Sequence, residues 1–293
     1  MTSSPASTPL RRRDIVFDFD APIPMHWLAG HCHRTRFYDA MSLMFPEGER
    51  AFIESVQRYR GRIRGEASLE CAVREFVAQE ALHSREHARY NRHLQEQGAP
   101  VERIERRVAR QQAFARRYLA PAVRLAITVC LEHFTAMLAD EILSDPSCLD
   151  GAHPLMADIW LWHALEEAEH KAVAFDVFQV AIAGSFRRYA LRCSTMLFVT
   201  PVFLSLLWRI TFELIRHDGR AANLRGWGGL LRDRLIGNGS LVRMFPQWCA
   251  WFRPGFHPLR RDSRALIDRF SAHFSDRFDA RDSTVDRTAG VDS

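Results

Sequence analysis

The sequence has almost no lysine. Lys171 is the one lysine among 40 basic residues, and the formal net charge is only +5. A nucleic-acid-binding domain concentrates positive charge on one face and interleaves it with aromatic residues. The densest basic run, from Arg103 to Arg117, is accompanied by Glu102 and Glu105 and repeats at helical spacing. That pattern is typical of a solvated helix face, so we expect no nucleic-acid partner.

Paired cysteines and an apolar leader are also lacking. The six cysteines include no CxxC pair, which excludes a zinc knuckle and a thioredoxin motif. Several lie inside apolar helical runs, as buried thiols in a reducing compartment do. Residues 1–13 are polar and then basic, without the apolar stretch of a signal peptide. We therefore expect a cytoplasmic protein. The apolar residues 193–208 leave open a peripheral position on the inner membrane.

No hydrophobic run reaches the length of a typical membrane span. The longest charge-free run, Cys193–Trp208, has sixteen residues and lies between Arg192 and Arg209. A spanning helix needs about 20 apolar residues, and this run also contains Pro201. We expect a buried helix packed on the rest of the protein. An interfacial membrane helix, with membrane contact through residues 193–208, is the alternative.

Helical periodicity, proline restarts and glycine stops predict an all-α protein. Four long amphipathic helices with short connections are typical of a bundle. The predicted helices cover about Arg34–Arg60 with a break at Phe45-Pro46, about Ser68 (as N-cap) to Gln97, about Val101–Leu143 with a bend or interruption at Pro121, and about Pro154–Ala183.

The chain thus divides into four parts by sequence. We expect an N-terminal extended segment at 1–30, with IVFDFD alternation after Asp14, and a four-helix dimetal bundle at 31–190. A C-terminal helical extension at 191–278 should pack on the bundle, followed by a disordered polar tail at 279–293. The fold class is a ferritin-like four-helix bundle with additional C-terminal helices.

Two Glu-x-x-His motifs carry the chemistry. Glu80 and His83 lie in the second predicted helix, and Glu167 and His170 lie in the fourth. Residues three apart share one helix face, so each motif points a carboxylate and an imidazole to one side. Dimetal carboxylate bundles combine two such motifs with one glutamate from each of two further helices. Glu49 on the first helix and Glu132 on the third complete that template.

The charges of this set require cations. Glu132 lies within the apolar run AITVCLEHFTAMLA, where an unpaired carboxylate is costly to bury. Four converging carboxylates repel one another, and two divalent ions would cancel their charge. Oxygen and imidazole ligands suit iron or manganese, and zinc less decisively. We therefore predict two iron ions, with manganese or zinc as alternatives.

Neighbouring residues extend the predicted site. His163 precedes Glu167 by four residues, so it could give one metal a further imidazole or be a core histidine bonded to a carbonyl. His87 and Tyr90 continue the stripe of Glu80 and His83, and we expect them to support ligands or line a pocket. Asp176 could orient a ligand histidine or form an ordinary salt bridge.

These motifs resemble a known family. The motifs that carry the resemblance are Phe45–Glu49, Gln79–His83 with His87, Leu131–Phe134, Trp162–Lys171 and Arg253–Pro258. Over about residues 15–265 the sequence resembles the bacterial family named predicted metal-dependent hydrolase. The ligand spacing of the four-helix core also resembles the p-aminobenzoate N-oxygenase family of di-iron enzymes. In that family a histidine four residues before the last glutamate supplies a seventh ligand, a position that His163 matches.

Three functions follow as hypotheses. The first is a non-haem dinuclear metal oxidase or oxygenase that uses dioxygen on a small organic substrate, lipid-like if the membrane contact exists; its electron donor and oligomeric state are not predicted. The alternative is a metal-dependent hydrolase that activates water, although an HExxH motif is absent. A non-catalytic bundle on a membrane surface is third. The candidate catalytic residues and metal ligands are the same seven: Glu49, Glu80, His83, Glu132, His163, Glu167 and His170.

Overall fold

The computed structural model describes residues 10–236 and 239–274, and it confirms the all-α fold class. Within these residues there is no strand, and one isolated bridge joins Leu28 to Ala152. The predicted tail at 279–293 lies outside the described residues. The α-helices are α1 (Cys32–Ser42), α2 (Phe45–Gln57), α3 (Ala67–Glu96), α4 (Val101–Tyr118), α5 (Pro121–Ser144), α6 (Pro154–His170), α7 (Val173–Ala181), α8 (Ser185–His217), α9 (Leu224–Leu235) and α10 (Ser240–Ala250), followed by helical residues at 264–274.

Prolines mark the helix starts as predicted. Pro46, Pro121 and Pro154 each occupy the first turn of a helix, where the missing N–H costs nothing. The prediction that Ser68 is an N-cap is wrong, because α3 begins at Ala67, with Glu66 at the N-cap position, and no side chain caps it. The expected fourth helix is also interrupted, between α6 and α7. At this break Lys171 is buried and donates hydrogen bonds to the Arg261 carbonyl (2.8 Å) and the Ser263 hydroxyl (2.7 Å).

The N-terminal segment is extended without pairing into a sheet. Ile15, Phe17 and Phe19 are buried while the residues between them are exposed, so the alternation read from the sequence is a burial pattern. The backbone N–H of Phe17 donates to the Glu86 carboxylate of α3 at 3.1 Å, and its ring contacts Trp162 of α6. The segment therefore lies across the helices that carry the site.

Four helices meet around the predicted site. α2 packs on α3, α5 packs on α6, α2 also contacts α5, and α3 contacts α6. Each therefore presents one face to a shared interior. The ferritin-like arrangement of this bundle stays a prediction.

The charge-free run lies within α8, which packs on α1 and α5. Two described helices, α5 and α8, are long and apolar enough to cross a membrane by length and composition. In the most apolar 18 residues of α5, 67% are buried in the protein, whereas the corresponding share for α8 is 28%. Met196 and Val199 are buried, whereas Leu197 and Phe198 are exposed. The expected buried helix is therefore buried on one face only.

Candidate metal centre

All seven predicted ligand residues lie together in the interior. Each has a buried side chain, and they come from all four central helices. Glu49 lies on α2, Glu80 and His83 on α3, Glu132 on α5, and His163, Glu167 and His170 on α6.

The donor atoms form two groups that share one histidine. Glu80, His83, Glu167 and His170 each offer one donor atom, and these four atoms lie within 4.8 Å of one another. His83 also belongs to a second group with Glu49 and His163, within the same limit. Two neighbouring groups of this kind can hold two neighbouring ions.

Glu132 joins the first group through His170. The Nδ1 atom of His170 lies 3.6 Å from Glu132 Oε2 and 3.4 Å from Glu80 Oε1, while its Nε2 lies 3.7 Å from Glu167 Oε2. These separations exceed an ordinary hydrogen bond. They leave space between the donor atoms, as expected where a cation would lie at about 2.0–2.2 Å from each ligand.

Most donor atoms in the cluster have no protein partner. Both carboxylate oxygens of Glu49, Glu80 and Glu132 are buried without a hydrogen bond, as are His83 Nδ1 and both ring nitrogens of His170. A buried polar atom without a partner costs about 1–3 kcal/mol, and a charged one costs more. So many unpartnered atoms facing one another fit metal ligation and are otherwise unexplained.

The pKa shifts of the four glutamates also indicate that the cluster lacks positive charge. Burial raises the pKa of Glu49, Glu80 and Glu132, and neighbouring carboxylates raise it further. Burial also acts to raise the pKa of Glu167, but His170, His163 and the Thr135 hydroxyl together hold it below the usual value. Thr135 donates to Glu167 Oε2 at 2.5 Å. The cluster thus favours bound cations or protons over free carboxylates.

A hydrogen-bonded chain sets the tautomer of His163. Asn91 Nδ2 donates to Glu105 at 3.0 Å, so its Oδ1 accepts from the Ser42 hydroxyl at 2.8 Å. Ser42 must then accept from His87 Nδ1 at 2.9 Å, and His87 Nε2 accepts from His163 Nδ1 at 2.8 Å. The assignment follows from the donor inventory of each group, with His87 neutral. Burial lowers the pKa of His87, which keeps it neutral.

This tautomer leaves a bare nitrogen lone pair facing the cluster. His163 Nε2 lies 3.1 Å from Glu167 Oε1, and in an uncharged ring with its hydrogen on Nδ1 neither atom has a proton to share. Two acceptors at this distance repel each other unless a cation lies beside them. The geometry therefore favours ligation by His163 over a core histidine bonded to a carbonyl.

Glu166 contacts the ring nitrogen of His83 that points away from the cluster. Its Oε2 lies 3.1 Å from His83 Nε2, which leaves Nδ1 of that ring facing the cluster. Its Oε1 accepts from the backbone N–H of Arg13 at 3.1 Å. Burial raises the pKa of Glu166 to about 8, and Arg13 acts in the opposite direction. Carboxylates in this position fix the orientation of metal-binding histidines. Helical register alone could not assign this role to Glu166 from the sequence.

The remaining predicted residues lie around the cluster. Tyr90 donates to Asp39 at 2.6 Å and stacks on the His87 ring. Asp176, for which two roles were open, forms a salt bridge with His257 at 2.9 Å and is partly exposed. That pair matches the ordinary salt bridge, not the orientation of a ligand histidine.

An apolar pocket reaches the cluster from the surface. Its cavity volume is about 250 Å³, close to the lower end for small-molecule sites, which is about 300 Å³. Glu49 and Thr135 line its inner part, and the rest is formed mainly by apolar side chains of α2, α4, α5 and α8. A second cavity of about 20 Å³ borders His163 and Glu167. The sequence did not predict this pocket, because α4 and α8 meet only in the tertiary structure.

A third group of donor atoms elsewhere does not fit a cation. His26, Cys32 and Asp218 lie close together. However, Arg36 pairs with both oxygens of Asp218, at 2.7 and 2.9 Å. The guanidinium already supplies the positive charge there.

Fold and site together define the class: an all-α protein with a buried cluster of carboxylates and imidazoles that could hold metal. The chain belongs to the family described as predicted metal-dependent hydrolase, whose model matches residues 11–262. No curated protein and no solved structure matches it. The likeness to the p-aminobenzoate N-oxygenase family has no support from these comparisons and stays a hypothesis.

Proposed function

We propose that this protein is a dinuclear metal enzyme, with two iron ions held by the seven clustered residues, that oxidises an apolar organic substrate with dioxygen. The observation that carries the proposal is the set of buried donor atoms without protein partners, three glutamates and two histidines among them. Non-haem iron supplies dioxygen chemistry when it is bound. Manganese or zinc in the same ligands is the alternative cofactor.

The residues of the chain provide geometry and exclude water. Glu166 and His87 orient His83 and His163 through their outer ring nitrogens. Phe45 packs against both His87 and His163, at 4.7 and 4.6 Å between ring centroids. The apolar pocket ends at Glu49, so a substrate there would reach the cluster without crossing a polar channel.

A metal-dependent hydrolase is the second candidate, and the family description favours it over the oxidase. Divalent ions lower the pKa of water and can generate a nucleophile at neutral pH. The lining of the pocket gives less support to this reaction. Its polar members are Glu49, Gln111, Gln112 and Thr135, a small set for orienting an ester or phosphoester.

Metal analysis and oxygen consumption test both proposals. Purified protein should contain about two metal ions per chain, and Glu132→Ala should contain fewer. The ferrous protein, prepared without air, should consume oxygen and develop a transient visible absorption band when air is admitted. Chelator-sensitive hydrolysis of generic esters, indifferent to oxygen, would instead select the hydrolase. Metal-free protein that gains no ions from solution would overturn both.

A further inference from the structure

The mouth of the apolar pocket is framed by exposed aromatic residues. Phe114 of α4 and Phe198 of α8 both line the pocket, and they are 59% and 65% exposed. Contiguous apolar surface of this kind marks an interaction site on a soluble protein.

The apolar surface continues from the mouth along α8 and onto α10. Leu197, next to Phe198, is 58% exposed. On the far side of α8, Thr200 accepts a hydrogen bond from the indole N–H of Trp248 at 2.9 Å. Phe245 stacks on Trp248 and is itself exposed. We call the surface formed by Phe114, Leu197, Phe198 and Phe245 the apolar rim.

Arginines border the apolar rim. Arg110, Phe114 and Arg117 are spaced four and three residues apart on α4, so they share one helix face. Arg209 follows Phe198 by eleven residues, or about three helical turns, and lies on the same side of α8. All three arginines are exposed, and within residues 10–236 and 239–274 none has a carboxylate partner. Apolar side chains bordered by cations complement an anionic lipid surface.

The ends of α8 are fixed to the protein, which argues against a membrane span. Glu213 pairs with Arg103 and Arg107 of α4, at 2.5 and 2.7 Å. At the other end Arg192 donates to the carbonyls of Trp251 and Arg253. Because these contacts hold the helix along the bundle, only its outer face is free to meet a membrane.

We propose that the apolar rim rests on an anionic lipid bilayer and that the pocket behind it takes up an apolar chain from that bilayer. The first part stands without the metal. The second part rests on the proposed function, and it identifies the substrate class as a molecule with a hydrocarbon chain.

Vesicle flotation tests the membrane contact. The full chain should float with vesicles of phosphatidylcholine and phosphatidylglycerol, and less at high salt because salt screens the arginines. Leu197→Asp combined with Phe198→Asp should lower the bound fraction roughly tenfold. Leu224→Asp, at an 81% exposed leucine on α9, should bind as the wild type does.

Wild-type protein that stays unbound, or a double variant that floats as well as wild type, would overturn the membrane contact. A dimer detected by light scattering would also overturn it, if the double substitution abolishes the dimer and neither protein binds vesicles. Metal content measured on the same preparations reports separately on the proposed function. A failure of one is therefore distinguishable from a failure of the other.

A fluorescent fatty acid tests the pocket. Dansylundecanoate should bind wild-type protein with a rise in emission, since the dye responds to an apolar site. Val202→Trp, which places an indole within the pocket lining, should weaken this binding several-fold and leave flotation unchanged. Val180→Trp, at an exposed valine that does not line the pocket, is the control. Equal binding by Val202→Trp and wild type, or no binding by either, would overturn the uptake of an apolar chain.

Discussion

His83 of α3 and His163 of α6 stack in parallel, with ring centroids 4.2 Å apart and planes inclined by 14°. Each ring has its outer nitrogen engaged, by Glu166 for His83 and by His87 for His163. Both histidines belong to the donor group that includes Glu49. The stacking and the two outer contacts together fix the orientation of both rings on one side of the candidate metal centre.

Removal of one carboxylate should separate metal binding from folding. In the metal-free protein Glu132→Gln should be at least as stable as wild type, because it removes a carboxylate whose pKa is raised by burial and by Glu167 and Glu49. It should also lose most of the stabilisation that added metal gives, which for wild type is about 2.7 kcal/mol at a concentration 100 times Kd. Thermal unfolding with and without divalent metal measures both effects.

Glu169→Gln is the matched control for this variant. Glu169, on α6, is buried as Glu132 is, but it accepts hydrogen bonds from Arg13 at 2.6 Å and from Gln79 at 3.1 Å. Its replacement should lower the free energy of unfolding by about 1–3 kcal/mol and leave the response to metal intact. If Glu132→Gln responded to metal as Glu169→Gln does, Glu132 would not be a ligand.

The metal-free protein should lose stability as pH rises above 6.5. Unfolded glutamates, with pKa 4.5, are ionised there, whereas burial keeps protons on Glu49 and Glu80 in the folded state. The folded state then binds more protons, so the free energy of unfolding falls with pH. The histidines oppose this trend only close to pH 6.5, because burial lowers the pKa of His83 and His170 below 6.5 in the folded state, while the unfolded state loses its remaining histidine protons just above that pH.

Metal affinity should change in the opposite direction over the same pH range. Ions displace the protons held by the carboxylates, so affinity should increase with pH and protons should be released. Denaturant unfolding in chelator and calorimetry in buffers of different ionisation enthalpy measure the two trends. A metal-free protein that became more stable between pH 6.5 and about 8 would contradict the protonated cluster.

Much of the site was accessible from the sequence because helix geometry is local. The spacing in Glu80/His83 and Glu167/His170 fixes which side chains share a face, and the structure brings both pairs together with Glu49. Whether they bind metal stays a prediction. The prolines likewise fixed the breaks before α2, α5 and α6.

The missing parts depend on contacts between distant segments. Ser42 and His87 are 45 residues apart, and no periodicity shows that one sets the tautomer of the other. Arg13 meets Glu166 across 153 residues. The break after α6 was missed for the same reason, since Lys171 finds its partners, Arg261 and Ser263, 90 and 92 residues later.

The support of His83 by Glu166 should be measurable as metal affinity. Glu166→Leu removes the acceptor for His83 Nε2 and should weaken metal binding by about 10–100-fold. Glu166→Gln keeps an acceptor oxygen and should lose less. Asp176→Asn, in a carboxylate–histidine pair outside the cluster, should bind metal as wild type does. Competition with a chromophoric chelator gives the affinities, and equal values for Glu166→Leu and Asp176→Asn would refute this role.

Two glycines of α9 should respond oppositely to alanine. A Cβ at Gly226 would lie 2.3 Å from the imidazole ring of His33 on α1, whereas a Cβ at Gly228 meets nothing within 4 Å. Gly226→Ala must push the buried ring or the helix away, at a cost of about 1–3 kcal/mol. Gly228→Ala should stabilise the protein by about 0.5–1 kcal/mol, because alanine has the better helix propensity. Urea unfolding measures both variants, and metal content should be unchanged in each because α9 contributes no residue to the cluster. Equal stability of the two variants would show that α9 does not pack on α1 through Gly226.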